Sequence, residues 1–205
     1  MGDTSYVGYS NAADSLLVRT RALNRVDVHD GFVPAGAPAG TASCPAVSVG
    51  AGAIWGRVYE AGAARHGRYV QGGGCLTVGV SGLVLGSGFG SLSKAFGTGA
   101  ASLLEAEVVT VDGRTRIVKA WRDPDLFFAL RGGGGGTFGV ATRLTLASHP
   151  LPATIGAVLF SLRAATDTAG SALVKRIVAF YAEALFIPRG ASSSASNPIV
   201  RCVSR

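Results

Sequence analysis

The sequence predicts a fold that mixes short strands with short helices, and three observations carry that reading. Residues 105–111 and 114–120 form two alternating runs around Asp112-Gly113, the pattern of an antiparallel hairpin. Asp123-Pro124 opens a helical segment, DLFFALR, that stops at Gly132. Residues 169–186 place Leu173, Ile177, Phe180, Tyr181, Ala184 and Leu185 along one side of a longer helix.

Taken in order, residues 15–20 (SLLVRT) read as a strand and residues 25–29 (RVDVH) alternate as a second. Residues 32–45 are rich in Gly, Pro and Ala and read as a loop. Residues 46–50 (AVSVG) form a short buried strand. Residues 54–65 carry Ile54, Val58, Ala61 and Ala64 on one helical face, with Gly67 as the stop. In the hairpin, Asp112-Gly113 favours a type I′ turn, which needs positive φ at both central residues. Asp123 is expected to cap the next helix, and Pro124 fits its first turn, where a missing N–H is harmless. Residues 137–146 and 155–162 read as further strands. Residues 188–205 are polar, low in complexity and aperiodic, the composition of a disordered tail.

With 48% hydrophobic and 15% charged residues in 205, the chain can bury a substantial core. A net charge of +7 suits nucleic acid, a membrane surface or an anionic cofactor. The 19 Lys and Arg residues are scattered, however, and the nearest to a cluster is Arg114, Arg116 and Lys119 along one strand. Nucleic acid is therefore not an expected partner. Cys44, Cys75 and Cys202 are too few for a disulfide framework, and His29, His66 and His149 stand apart from them, so no metal is expected. The N-terminal MGDTSYVGYSN lacks the charged-then-apolar pattern of a secretory signal. Residues 69–93 run 25 positions without a charge, which raises the question of a membrane helix. Eight of the 25 are glycine, each costing about 1 kcal/mol against alanine inside a helix. A tight loop system buried against protein or ligand fits better, so no membrane partner is expected.

Two glycine clusters dominate. The first runs Gly72-Gly73-Gly74-Cys75-Leu76-Thr77-Val78-Gly79-Val80-Ser81-Gly82 and on through Gly86-Ser87-Gly88-Phe89-Gly90. The second runs from Gly132 to Gly136 and on through Thr137-Phe138-Gly139. Glycines at this density let backbone N–H groups approach a ligand, and successive N–H groups can form a concave anion site. Thr77 and Ser81 add hydroxyls, and Val78, Val80, Leu83 and Leu85 would anchor the loop. Close packing of glycines without a ligand is the alternative. G-x-x-x-x-G-K-[ST] and G-x-S-x-G are absent. Gly134, Gly136 and Gly139 satisfy G-x-G-x-x-G, but a helical segment rather than a strand precedes them, which argues against a Rossmann site.

The segment GRYVQGGGCLTVGVSGLVLGSGFGSLSKAFGTGAASLLEAEVVTVDG, followed by DPDLFFALRGGGGGTFGVATRLTL, resembles the berberine-bridge-enzyme-like flavoproteins of the vanillyl-alcohol-oxidase (PCMH-type) FAD-binding family. The resemblance extends from about residue 5 to about residue 188. It implies an α+β fold, with a partial PCMH-type FAD-binding domain at 1–152, the beginning of an α+β substrate domain at 153–187 and an aberrant or disordered tail at 188–205. It implies FAD as cofactor, oxidation of a small-molecule substrate by hydride transfer to the flavin, and O2 as acceptor. Cys75 matches the position that many members bond to carbon 6 of the flavin ring. Gly74, Thr77, Val78, Gly79, Gly82, Gly86 and Gly88 match the first cofactor-facing stretch, Gly139 and Val140 the second, and Ser5 and Tyr6 the end of a G-G-H-S-Y motif.

Departures from the pattern matter as much. Thr4 stands at the histidine of that motif, where the family places a second covalent bond that threonine cannot form. The resemblance implies a chain cut short at both ends, with the substrate-side residues and catalytic base beyond it. By chemistry alone His66 and Glu183 are candidates for a base, and each reads as an ordinary surface residue. An inactive relic that binds FAD weakly, or not at all, is the rival expectation.

Overall fold

The computed structural model describes residues 13–154 and 161–185, and the chain divides into two compact units, Met1–Leu151 and Pro152–Arg205. The first unit contains strands β1 (Val26–Phe32), β2 (Cys44–Gly50), β3 (Arg68–Val70), β4 (Leu103–Val109), β5 (Thr115–Val118) and β6 (Val140–Pro150). Among the described residues they form an antiparallel sheet in the order β1-β2-β6-β4-β5, with β3 pairing the far end of β6. Helices α1 (Trp55–Tyr59), α2 (Val80–Leu85), α3 (Ser93–Phe96) and α4 (Pro124–Leu130) are interspersed, so the architecture is α+β.

Strand alternation decides the two faces of the sheet. Val49 pairs with Leu144, Leu144 with Ala106, and Ala106 with Val118, a row buried across β2, β6, β4 and β5. Trp55, Val58, Val80, Val84, Phe127 and Leu130 from the helices complete this core. The neighbouring row points to the other face and is polar yet buried: Ser48, Thr145 and Glu105, with Lys119 just past β5. Ser48 Oγ lies 2.9 Å from both Thr145 Oγ1 and His29 Nε2. Lys119 Nζ donates to Glu105 Oε2 at 3.0 Å, the two side chains being 0% and 8% exposed.

Several expectations need correction. Residues 15–20 make no strand; Leu16 and Leu17 are exposed, and the segment lacks a sheet partner to satisfy its backbone. The hairpin turn is not type I′. Gly113 has φ +72, but Asp112 does not share the positive region. The Gly113 N–H donates to Thr110 O, and the Thr110 N–H donates to Arg114 O, the pattern of a tight turn closed by a glycine bulge. The Asp112 carboxylate explains the choice: it accepts from Thr110 Oγ1, Arg116 and the Arg114 N–H, which hold it well below the usual carboxylate range. Asp123 precedes α4 but makes no side-chain cap, its backbone being left-handed (φ +52) and its carboxylate 3.9 Å from Arg116. The uncharged 69–93 stretch is not all loop. It contains α2, because burial of Val80, Val84 and Leu85 outweighs the helix penalty of Gly82, and it ends on Ser93, the first residue of α3.

In the second unit, Thr166 Oγ1 accepts from the Ala169 N–H at 3.2 Å and caps α5 (Asp167–Phe180), which continues as a π-helical turn, Tyr181–Leu185. No residue of α5 is buried, and Val174 and Val178 are 60% and 63% exposed. Most of the expected 155–162 strand and all of the expected tail at 188–205 lie outside the described residues. No helix among the described residues is long and apolar enough to cross a membrane.

Candidate functional site

The glycine-rich segments converge through the 86–90 loop. On one side, Gly90 packs so closely on the first run that a Cβ there would overlap the Gly72 carbonyl oxygen. On the other, a Cβ on Gly132 would lie 2.6 Å from Ser87 Oγ, and the Gly134 N–H donates to Leu85 O at 2.9 Å. The loop is fixed from behind as well. Gly99 and Ala100 donate to the carbonyls of Gly88 and Ser87 at 2.7 and 2.9 Å. Ser87 and Gly88 both take positive φ, +78 and +69, and the side chain at Ser87 makes this a strained conformation held by its surroundings.

The segment carrying Cys75 is laced to the start of α1. Gly56 N–H donates to Leu76 O at 2.8 Å and Trp55 N–H to Val78 O at 3.0 Å. Val80 N–H returns to Ala53 O at 3.0 Å, and Ser81 Oγ donates to Ala51 O at 2.9 Å. The Cys75 side chain itself is exposed and unpaired with another cysteine. Its Sγ lies 3.4 Å from Thr77 Oγ1. That hydroxyl, with the N–H groups of Thr77 and Val78, holds the thiol below its ordinary value, because hydrogen bonds to sulfur favour the thiolate.

Of the sequence-derived site residues, Gly74, Cys75 and Thr77 form an exposed edge, and a Cβ on Gly74 would meet nothing within 4 Å. Val78 is half-buried, Gly79 caps α2, Gly82 lies inside it and Gly86 ends it. Gly88 is buried. Gly139 (φ +144) and Val140 stand apart at the entry of β6, where a Cβ on Gly139 would lie 2.7 Å from Val109 O. Thr4, Ser5 and Tyr6 lie outside the described residues. His66 is exposed and bonded through Nδ1 to Ala61 O, and Glu183 is exposed on the turn after α5.

Sequence reasoning missed the residues beneath the first run. The Trp55 ring lies where a Cβ on Gly72 would sit, and Tyr59, stacked on Trp55 at 5.5 Å, donates from Oη to Gly73 O at 2.5 Å. Burial raises the Tyr59 phenol, helped by Tyr69, and pushes Tyr69 up to about 12, so both remain donors near neutrality. Gln71, the lone amide in the uncharged stretch, was the visible signal: a polar side chain beside a glycine run, when buried, must be bonded to something.

Residues 2–119 match the FAD binding domain family. Over 157 residues the chain is 46% identical to FAD-linked oxidoreductase easE of Arthroderma benhamiae, covering 74% of this chain and 30% of that one. It thus spans about a third of the length of that relative. It superposes on a VAO-type flavoprotein from Myceliophthora thermophila C1 with a TM-score of 0.58 at 36% identity, over 63% of this chain and 23% of the other. A similar likeness joins it to glucooligosaccharide oxidase from Acremonium strictum, whose FAD is described as 6-S-cysteinyl and 8α-N1-histidyl: TM-score 0.56, 28% identity, 64% and 25% covered. The chain therefore belongs to the FAD-binding domain family, on the vanillyl-alcohol-oxidase and berberine-bridge-enzyme-like branch of the FAD-linked oxidoreductases, and FAD is its cofactor.

Proposed function

We propose that this chain forms the FAD-holding part of an oxidoreductase in which Cys75 sulfur would replace the hydrogen on carbon 6 of the flavin ring, that hydrogen leaving as a proton and the two electrons passing into the flavin and from it to O2. When bound, FAD supplies the hydride acceptor for a small-molecule substrate, with O2 as the oxidant that restores it. The observation that carries the proposal is Cys75, exposed on a loop whose own hydroxyl and N–H groups favour its thiolate. The 6-S-cysteinyl FAD of glucooligosaccharide oxidase supports the same reading.

The residues present fit a flavin. Gly74 leaves open space beside the thiol, and exposed Leu76 and Phe89 offer apolar surface to a planar ring. In this reading Thr77 Oγ1 and the N–H groups of Thr77 and Val78 stabilise the sulfur anion, which is the nucleophile. Gly74, Val78, Gly79, Gly82, Gly86 and Gly88 bring backbone to the cofactor. Gly139 and Val140 do so from the entry of β6, and the motif match gives Ser5 and Tyr6 the same role. Thr4 has no ring nitrogen, so Cys75 is the attachment point this sequence offers. Residues 1–152 serve as the FAD-binding domain and 153–187 begin a substrate domain, a division supported by the boundary of the compact units at Leu151.

The test is to express the chain, precipitate it with acid and measure flavin absorbance in the pellet. Covalent attachment keeps the colour in the pellet, and Cys75→Ser moves it to the supernatant. Colour in the parent's supernatant alone would exclude the bond.

A second reading, an inactive relic with weak or no FAD binding, is favoured by α5, which buries none of its residues. Thermal unfolding separates the two: a cooperative transition raised by FAD supports the first reading, and its absence with and without FAD supports the second.

A further inference from the structure

Gln71 is fully buried where β3 gives way to the first glycine run. A primary amide carries two donors and an acceptor, and burial leaves them dependent on protein partners. Its Oε1 accepts from Tyr69 Oη at 2.6 Å, and its Nε2 donates to Ser93 Oγ at 2.7 Å. Ser93 Oγ also accepts from the Gly90 N–H at 2.9 Å. The bonds thus run from β3 through the amide to α3 and end on the 86–90 loop.

At the same point the two loops meet backbone to backbone. The Cβ position of Gly90 overlaps the Gly72 carbonyl and lies 2.8 Å from Gln71 Nε2. Helix α3 has four residues and buries none, so its position depends on side-chain ties. Ser93 is one. Phe96 is another, with Tyr69 at 5.2 Å and His149 at 4.2 Å from its ring. Past Gln71 the chain meets Trp55 at Gly72 and Tyr59 at Gly73, then emerges at Cys75.

We infer that Gln71 is a positioning residue: acting through Ser93, it fixes the 86–90 loop against the run that presents Cys75, and so sets the thiol for bonding to the flavin. This rests on the reading of Cys75 as the attachment point. A filler of the core would support folding alone. A positioning residue also sets how much of the flavin bound by folded protein becomes covalent.

The experiment compares the full chain with Gln71→Leu, which keeps the volume and removes the bonds, with Ser93→Ala, and with Ser93→Thr, which restores a hydroxyl. Two quantities are read at matched folded fraction by circular dichroism: the share of protein-bound flavin that stays in the acid pellet, and the pH midpoint of Cys75 alkylation without flavin, followed on its peptide by mass spectrometry. Gln71→Leu and Ser93→Ala are expected to lower the covalent share at least fivefold and to raise the alkylation midpoint, with Ser93→Thr close to the parent. Covalent share and midpoint unchanged in both would overturn the inference. If Gln71→Leu does not fold, Ser93→Ala decides alone. If the parent holds all its flavin noncovalently, the attachment reading falls, and the midpoints still decide whether Gln71 positions the thiol.

Discussion

The two glycine clusters use the same residue for different reasons. In the first, Gly72 and Gly90 have ordinary backbone angles, and what they supply is the absence of a side chain where backbone meets backbone or an indole ring. In the second, Gly132, Gly134 and Gly136 take positive φ, and around Gly135 and Gly136 a Cβ would meet nothing within 4 Å. Gly72 and Gly90 are packing devices and Gly134 and Gly136 steering devices, while Gly88 (φ +69) and Gly133, whose Cβ would lie 2.4 Å from Ala129 O, place one of the other kind in each cluster. A density of glycine in a sequence therefore does not say which kind of substitution a loop will refuse.

The sharpest way to break this contrast is Gly90→Ala. Its methyl group meets a carbonyl that cannot swing aside, and a loss of about 3 kcal/mol in denaturant-induced unfolding is expected; a loss below about 1 kcal/mol would mean the loops can part. Next is the chemistry that the first cluster supports. The Cys75 thiol is lowered, so the thiolate dominates from a lower pH than in an ordinary cysteine, and Thr77→Val removes the largest cause. The alkylation midpoint of Cys75 should rise in that variant; an unmoved midpoint would leave the N–H groups as the whole effect. Gly136→Ala, with φ +73 and open space, should lose about 1 kcal/mol from backbone strain alone. Gly135→Ala lacks both handicaps, and its unfolding midpoint should stay within about 0.5 kcal/mol of the parent. A large loss at Gly135 would erase the distinction between the clusters.

Local signals were legible wherever a residue's own chemistry sufficed. The strand at residues 46–50 and the helix after Pro124 stand where periodicity and proline place them, while β6 runs Val140–Pro150, later at both ends than the expected 137–146. Val80 and Leu85 anchor the first run in the core as their spacing implied. What escaped depended on partners distant in the chain. Leu16, Leu17 and Val18 have strand-like sequence, but a strand requires a neighbour with free backbone groups. The turn at Gly113 was decided by the Asp112 carboxylate and its bonds to Thr110 and Arg116. Cys75 was visible because it matched the cysteine position of the flavoprotein pattern that the first glycine run resembles. Tyr59, Tyr69 and Ser93 were not, because each is an ordinary residue until the fold brings it against a loop; Gln71, the lone amide of its stretch, was the one hint of them.

The buried Lys119–Glu105 pair has a consequence for how the hairpin finds its partner. Sliding β5 along β4 by two residues would keep every side chain on its proper face, so apolar packing polices such an error poorly. The ammonium group makes it expensive in one direction. A two-residue slip that set Lys119 opposite Leu103 would strand its ammonium inside the protein without a carboxylate, at a cost of several kcal/mol. The pair thus works as a one-way stop, rejecting the slip toward Leu103 that hydrophobicity alone would tolerate, whereas the opposite slip would meet a second carboxylate at Glu107.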